Sequence, residues 1–179
     1  MKSKEKGIPL KLPSSESGFS MLEVIIAILT ITAFLTGTLQ LMAVNALYKV
    51  RSERQAQANF WIQEDFEDTK YQASTLAFDE KWCTGKEGYA TALRRQLTAP
   101  PPDTPIPKER LVAKKPIVGK DYSLFQTFNI AEQLDNPHRL RIDYRVEATD
   151  KTPKDYPNQE NVIAESSVEV IPDASFNCP

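Results

Sequence analysis

Glu23 is the residue whose setting first demands a chemical explanation. Residues 24–48 contain no Asp, Glu, Lys, Arg or His, so one carboxylate stands at the end of a 25-residue uncharged run. An ionisable group at the centre of a bilayer costs about 3 kcal/mol on insertion scales, and such groups as a rule are functional and have a partner. Elsewhere the reactive residue types are sparse. Cys83 and Cys178 form no C-x-x-C pair and His138 is the only histidine, which excludes a four-ligand Cys/His zinc site. Asp65, Glu67 and Asp68 cluster, but on a helix they read as a solvated acidic face rather than a catalytic group. His138, beside Arg139, reads as a lone exposed histidine at a strand start. The segment "IPDASFNCP" has a single acid, too few for calcium. There is no phosphate loop, dinucleotide fingerprint, nucleophile elbow or HExxH. The expectation is a protein that is not an enzyme, with no metal and no cofactor.

One basic segment has two readings. Lys108, Arg110, Lys114, Lys115 and Lys120 follow one another with only Glu109 and Asp121 intervening or adjoining. Such a patch could contact nucleic-acid phosphates. No aromatic residues interleave to stack on bases. The plainer reading, an edge strand kept from aggregating by its lysines, is preferred.

The elements that must position these residues divide the chain sharply. At 179 residues there is room for one ordinary domain and an anchor. A polar leader with Lys2, Lys4, Lys6 and Lys11 precedes the apolar run, and the body that follows is mildly acidic. A secretory signal peptide would have an apolar core of about 7–15 residues and a small-x-small cleavage site. Here the run is longer, and the nearest such site, Val44-Asn45-Ala46, lies at its far end. An uncleaved signal anchor accounts for the span, since about 20 apolar residues cross a bilayer. It leaves Glu23 without a purpose. Charge does not orient the span, because Lys49, Arg51 and Arg54 on the far flank oppose the basic leader.

A third reading accounts for both features. A basic leader, then Gly18, Phe19, and Glu23 as the fifth residue of an apolar helix resembles the class III signal of type IV prepilins and pseudopilins. The resemblance is strongest from Ser17 to about Tyr48. It implies that a prepilin peptidase cuts between Gly18 and Phe19 and methylates the new amino group of Phe19. It also implies that Glu23 pairs with the amino terminus of a neighbouring subunit during assembly. First and fifth helical positions differ by about 6 Å of rise, so a subunit displaced by that distance could bring amine and carboxylate together. In lipid or a filament core such a pair is weakly screened and can set register. The wording "MLEVIIAIL" resembles the PilV-like minor pilins and the minor pseudopilins of type II secretion. Where many major pilins have a proline, this chain has Gln40.

No proline occurs between Pro13 and Pro100, and Gly37 is the only glycine between Gly18 and Gly85. This predicts one long helix that changes character along its length. Thr30, Thr32, Thr36, Gly37 and Thr38 would permit close helix packing in an apolar medium, or are tolerated passengers. Beyond Tyr48, Val50, Ala58, Ile62, Phe66, Ala73, Leu76 and Ala77 recur on one face, with Trp61 widening it. Arg51, Arg54, Glu64, Asp65 and Lys70 fall at other angles. The helix is expected to end between Phe78 and Trp82. Residues 99–107, "APPPDTPIP", read as a stiff loop. "HRLRIDYRVEATD" alternates as a half-buried strand. "SLFQTFNI" and "SSVEVI" are further strands, "RLVAKKPIV" is a possible edge strand, and "DKTPKDYPNQE" is a connection.

The expected fold is therefore α+β, a long helix packed on an antiparallel sheet of three to five strands, as in pilins. The expected layout is a leader over residues 1–18, an anchoring and assembly half of the helix over 19–48, an amphipathic half over 49–82, and a head over 83–179. If the head is exported, Cys83 and Cys178 read as a disulfide; in a reducing compartment they would be two thiols. The function this implies is that of a minor pilin-like structural subunit of the inner membrane, its head outside the cytoplasm, which then enters a pilus or pseudopilus at the cell surface. Its partners would be the prepilin peptidase, other pilin or pseudopilin subunits, the inner-membrane assembly platform and membrane lipid, with DNA a weaker candidate. The competing expectation is a signal-anchored periplasmic or extracellular binding domain with no filament role.

Overall fold

The computed structural model describes residues 18, 20–84, 87–102, 104–131, 133, 135–150 and 161–179. Residues 1–17 of the leader, Phe19 and most of the "DKTPKDYPNQE" connection lie outside the described residues. Two compact units are formed, Met1–Ala46 and Leu47–Pro179. The helix α1, Met21–Ser74, belongs in part to each.

In the first unit α1 begins where the Ser20 carbonyl accepts the N–H groups of Glu23 at 2.9 Å and Val24 at 3.3 Å. Glu23 thus lies in the first turn, where a carboxylate complements the positive end of the helix dipole. Four threonine hydroxyls fold back on the helix: Thr30 donates to Ile26 O (2.8 Å), Thr32 to Ile28 O (2.7 Å), Thr36 to Thr32 O (2.8 Å) and Thr38 to Leu35 O (2.9 Å). Each hydroxyl hydrogen is satisfied within its own helix, so these residues leave the surface effectively apolar.

In the second unit the rest of α1 and a second helix, α2 (Gly88–Thr98), cover one face of a four-stranded sheet. The strands are β1 (Glu109–Ile117), β2 (Lys120–Asn129), β3 (Leu140–Ala148) and β4 (Val162–Val170). They form an antiparallel meander in the order β1-β2-β3-β4. The core joins Ala58, Trp61, Ile62 and Ala73 of α1, and Leu93 and Leu97 of α2, to Leu124, Ile142, Tyr144 and Val146 of the sheet. On β3 the expected alternation holds residue by residue, with Leu140, Ile142, Tyr144, Val146 and Ala148 buried. β1 is an edge strand and carries Pro116, a residue that sheets admit at their edges.

Two details depart from the sequence expectation. α1 stops at Ser74, short of Phe78, and there the Ser74 and Thr75 hydroxyls donate to the Tyr71 carbonyl at 2.9 and 3.0 Å. A 3-10 turn, Glu80–Trp82, follows, capped by the Asp79 carboxylate, which accepts the Lys81 N–H at 3.1 Å. The helix α2 was not anticipated; its apolar residues Tyr89, Ala92, Leu93 and Leu97 recur at helical spacing. Its first residue, Gly88, lies against the β2–β3 connection so closely that a Cβ there would sit 2.0 Å from the Pro137 carbonyl oxygen. That carbonyl accepts the Ala90 N–H at 2.9 Å, and His138 Nδ1 accepts the Tyr89 N–H at 3.3 Å. His138 is therefore half-buried and holds the start of α2, which corrects its reading as a lone exposed residue.

Candidate functional site

The apolar part of α1 is the strongest candidate. An 18-residue window within α1 has a mean hydropathy of 2.1 and none of it is buried, so α1 is a candidate membrane span by length and composition. Met21, Leu22, Ile28, Leu29, Phe34 and Leu39 are among its large exposed side chains. A helix apolar on all sides belongs in lipid or inside a larger assembly. Glu23 is exposed in the first turn of this segment, and Gly18, also exposed, lies just before it. An added Cβ at Gly37 would meet nothing within 4 Å, so its flank is open to close approach by another helix.

Cys83 and Cys178 are joined as a disulfide, with Cα atoms 5.3 Å apart and a sequence separation of 95. The bridge links the 3-10 turn after α1 to a second 3-10 turn, Asp173–Asn177, that follows β4. Around it Tyr89, Ala92 and Ala174 form a small buried cluster, with Leu76 and Trp82 packed against it. Tyr89 ties the same region together: its hydroxyl accepts the Asp79 N–H at 2.9 Å and donates to the Asp79 carbonyl at 3.2 Å.

The basic segment is not one face. Register places Arg110 opposite Gln126 and Lys115 opposite Tyr122, both on the side of the sheet that meets the helices, whereas Lys114 lies opposite Ser123 on the other side. A bulge between Leu111 and Ala113 produces this division. Arg110 turns inward, its Nε donating to Gln126 Oε1 at 2.6 Å and its Nη1 to the Leu97 carbonyl at the end of α2. Lys115 reaches α1, 3.6 Å from the Glu64 carboxylate and 5.6 Å from the centre of the Trp61 ring. Lys108 and Lys114 are exposed, while Lys120 is half-buried beside the β1–β2 turn.

The acidic cluster on α1 is also divided. Asp65 is buried, while Glu67 and Asp68 face solvent, which corrects the expectation of one solvated face. Gln126, fully buried on β2, donates through Nε2 to the Asp65 carboxylate and to the Tyr144 hydroxyl at 3.0 Å, with Thr69 Oγ1 at 3.3 Å. Desolvation pushes the Asp65 carboxyl above its ordinary value, against the opposing pull of its hydrogen bond with Tyr144 and of Arg110. Burial likewise raises the Tyr144 phenol. Arg54, also buried, donates to the Val118 carbonyl at 3.0 Å. The signal for both inward residues was present in the spacing: Arg54 and Asp65 fall four before Ala58 and three after Ile62, on the apolar face itself.

Compared with protein-family models, curated proteins and solved structures, the chain matches none.

Proposed function

We propose that this chain is a minor type IV pilin-like structural subunit. Its leader is removed between Gly18 and Phe19, and the apolar part of α1 first holds it in the membrane and then packs among like helices in a pilus or pseudopilus. The observation that carries this reading is Glu23, a carboxylate in the first turn of a helix that is otherwise uncharged through Tyr48 and exposed along its apolar length. A plain anchor has no use for that charge, whereas the amine created at Phe19 supplies a partner of opposite sign. The disulfide supports placement of the head in an oxidising compartment outside the cytoplasm.

Mass spectrometry of the membrane-extracted protein should find a methylated Phe19 as the amino terminus. An intact Met1, or a start near Leu47, would instead mark an anchored or secreted domain. Glu23→Ala should still insert and lose its leader, yet appear in sheared filaments at least tenfold less than the wild type. Undiminished incorporation would remove the ion pair from the account.

A further inference from the structure

The sheet of the second unit has two outer strands, β1 and β4, and they are built differently. β1 carries features that discourage strand addition: Lys114, Lys115, Pro116 and the bulge between Leu111 and Ala113. β4 contains no lysine, arginine or proline, and its pairing with β3 runs without a shift from Ala164 to Val170. Among the described residues, no backbone hydrogen bond outside the sheet ladder engages Val162–Val170. The N–H and C=O groups along the outer side of β4 are thus left for a further strand.

The side chains of β4 define what fits there. Ile163 and Val168 pack against the core yet stay partly exposed, so aliphatic residues on an added strand would complete their burial. Glu165, Ser167 and Glu169 are exposed on the face away from the helices. Glu169 lies 3.3 Å from Arg139. Glu165 has no ion pair among the described residues. Arg145 stands opposite it in register, but reaches Glu109 at 3.3 Å and Glu147 at 3.4 Å instead. The edge is therefore acidic, with one carboxylate unneutralised. A second β4 would bring Glu165 and Glu169 of both copies close together, which disfavours a copy of this chain as the occupant.

We propose that β4 accepts an extended strand of another protein. Basic residues four apart on one face of that strand lie opposite Glu165 and Glu169, and aliphatic residues between them turn to the core side. Main-chain bonds supply the affinity, and the alternate side chains supply the choice of partner. This surface belongs to the head alone and does not depend on Glu23 or on leader removal.

Fluorescence anisotropy on the full chain in neutral detergent tests this with a labelled peptide in which valines alternate with arginine, threonine and arginine. One control peptide has glutamate in place of arginine, and another has N-methylated backbone amides. The arginine peptide should bind saturably, and both controls at least tenfold more weakly. On binding, hydrogen exchange should slow at least tenfold within Val162–Val170 and stay unchanged within Glu109–Ile117. Glu165→Lys should weaken the arginine peptide at least tenfold without lowering the melting temperature, because that carboxylate is exposed and unpaired. Glu165→Gln, expected to weaken binding about threefold, is the readout should the lysine variant fail to fold. Absence of saturable binding, equal affinity for either control, slowed exchange on β1 instead of β4, or indifference to both substitutions would overturn the assignment. Protection of β4 that is present without peptide and rises with protein concentration would overturn it in favour of a second copy.

Discussion

Asp65 shows how a single side chain can be misread when only its charge is considered. It shares an angular position with Ala58, Ile62, Thr69 and Ala73, and the helix rotates all of them toward the sheet. A carboxylate in that position is held by Gln126 and Tyr144 rather than by water. Its raised pKa has a consequence of definite sign. For an acid whose folded value lies above its unfolded value, near 3.8, the stabilising contribution is fully present below the unfolded value. It is lost as pH rises through the raised folded value. Wild-type stability measured by urea unfolding should therefore improve relative to Asp65→Asn as pH falls from 7 toward 4. Two curves that stay parallel over that interval would contradict the burial of a titrating Asp65. The position of Glu23 in the first turn of α1 stands out for the opposite reason, since the 25 residues after it carry no charge.

Among the elements, those with uninterrupted periodicity were readable before any coordinates. The strict alternation of β3 follows from a strand with one face on the core and one in water, where Arg139 and Arg145 meet Glu169 and Glu109, each pair at 3.3 Å. The end of α1 was less visible, because no glycine or proline stands at Ser74–Thr75 to mark it. α2 was hidden by its length of 11 residues, too short to be stable from local preferences alone. It exists because Pro137 and His138, remote in sequence, bind its first amides. Gly88→Ala is the sharpest test of that contact. The new methyl would lie 2.0 Å from the Pro137 carbonyl oxygen, a backbone atom that cannot swing aside. A loss on the order of 2–4 kcal/mol in chemical denaturation is expected. A loss below about 0.5 kcal/mol would mean that α2 tolerates a shift away from the β2–β3 connection. The hairpin between β1 and β2 sets a similar constraint. Val118 and Gly119 both adopt positive φ, 43° and 76°, the signature of a two-residue primed turn. A β-branched residue is rare there, and the Val118 carbonyl is retained by Arg54 from α1. No short-range pattern in the sequence reveals that support.

At the scale of the whole chain, the α+β expectation and the pairing of the two cysteines are both met, while the proposed assembly role rests on the first unit alone. The bridge closes a loop with a sequence separation of 95 residues, and in the chain-entropy model that stabilises the head by roughly 4–5 kcal/mol. Cys83→Ser with Cys178→Ser should therefore lower the melting temperature well beyond the effect of a surface substitution, without changing the strand content seen by circular dichroism. The same closure has a mechanical meaning. Tension applied between α1 and the segment after β4 would pass through two sulfur atoms and leave α2 and all four strands outside the loaded path. In single-molecule stretching, the reduced protein should extend by roughly 300 Å more than the oxidised one before reaching its contour limit. A chain pulled between α1 and its carboxyl terminus would thus keep its sheet folded under a load that would otherwise unravel it.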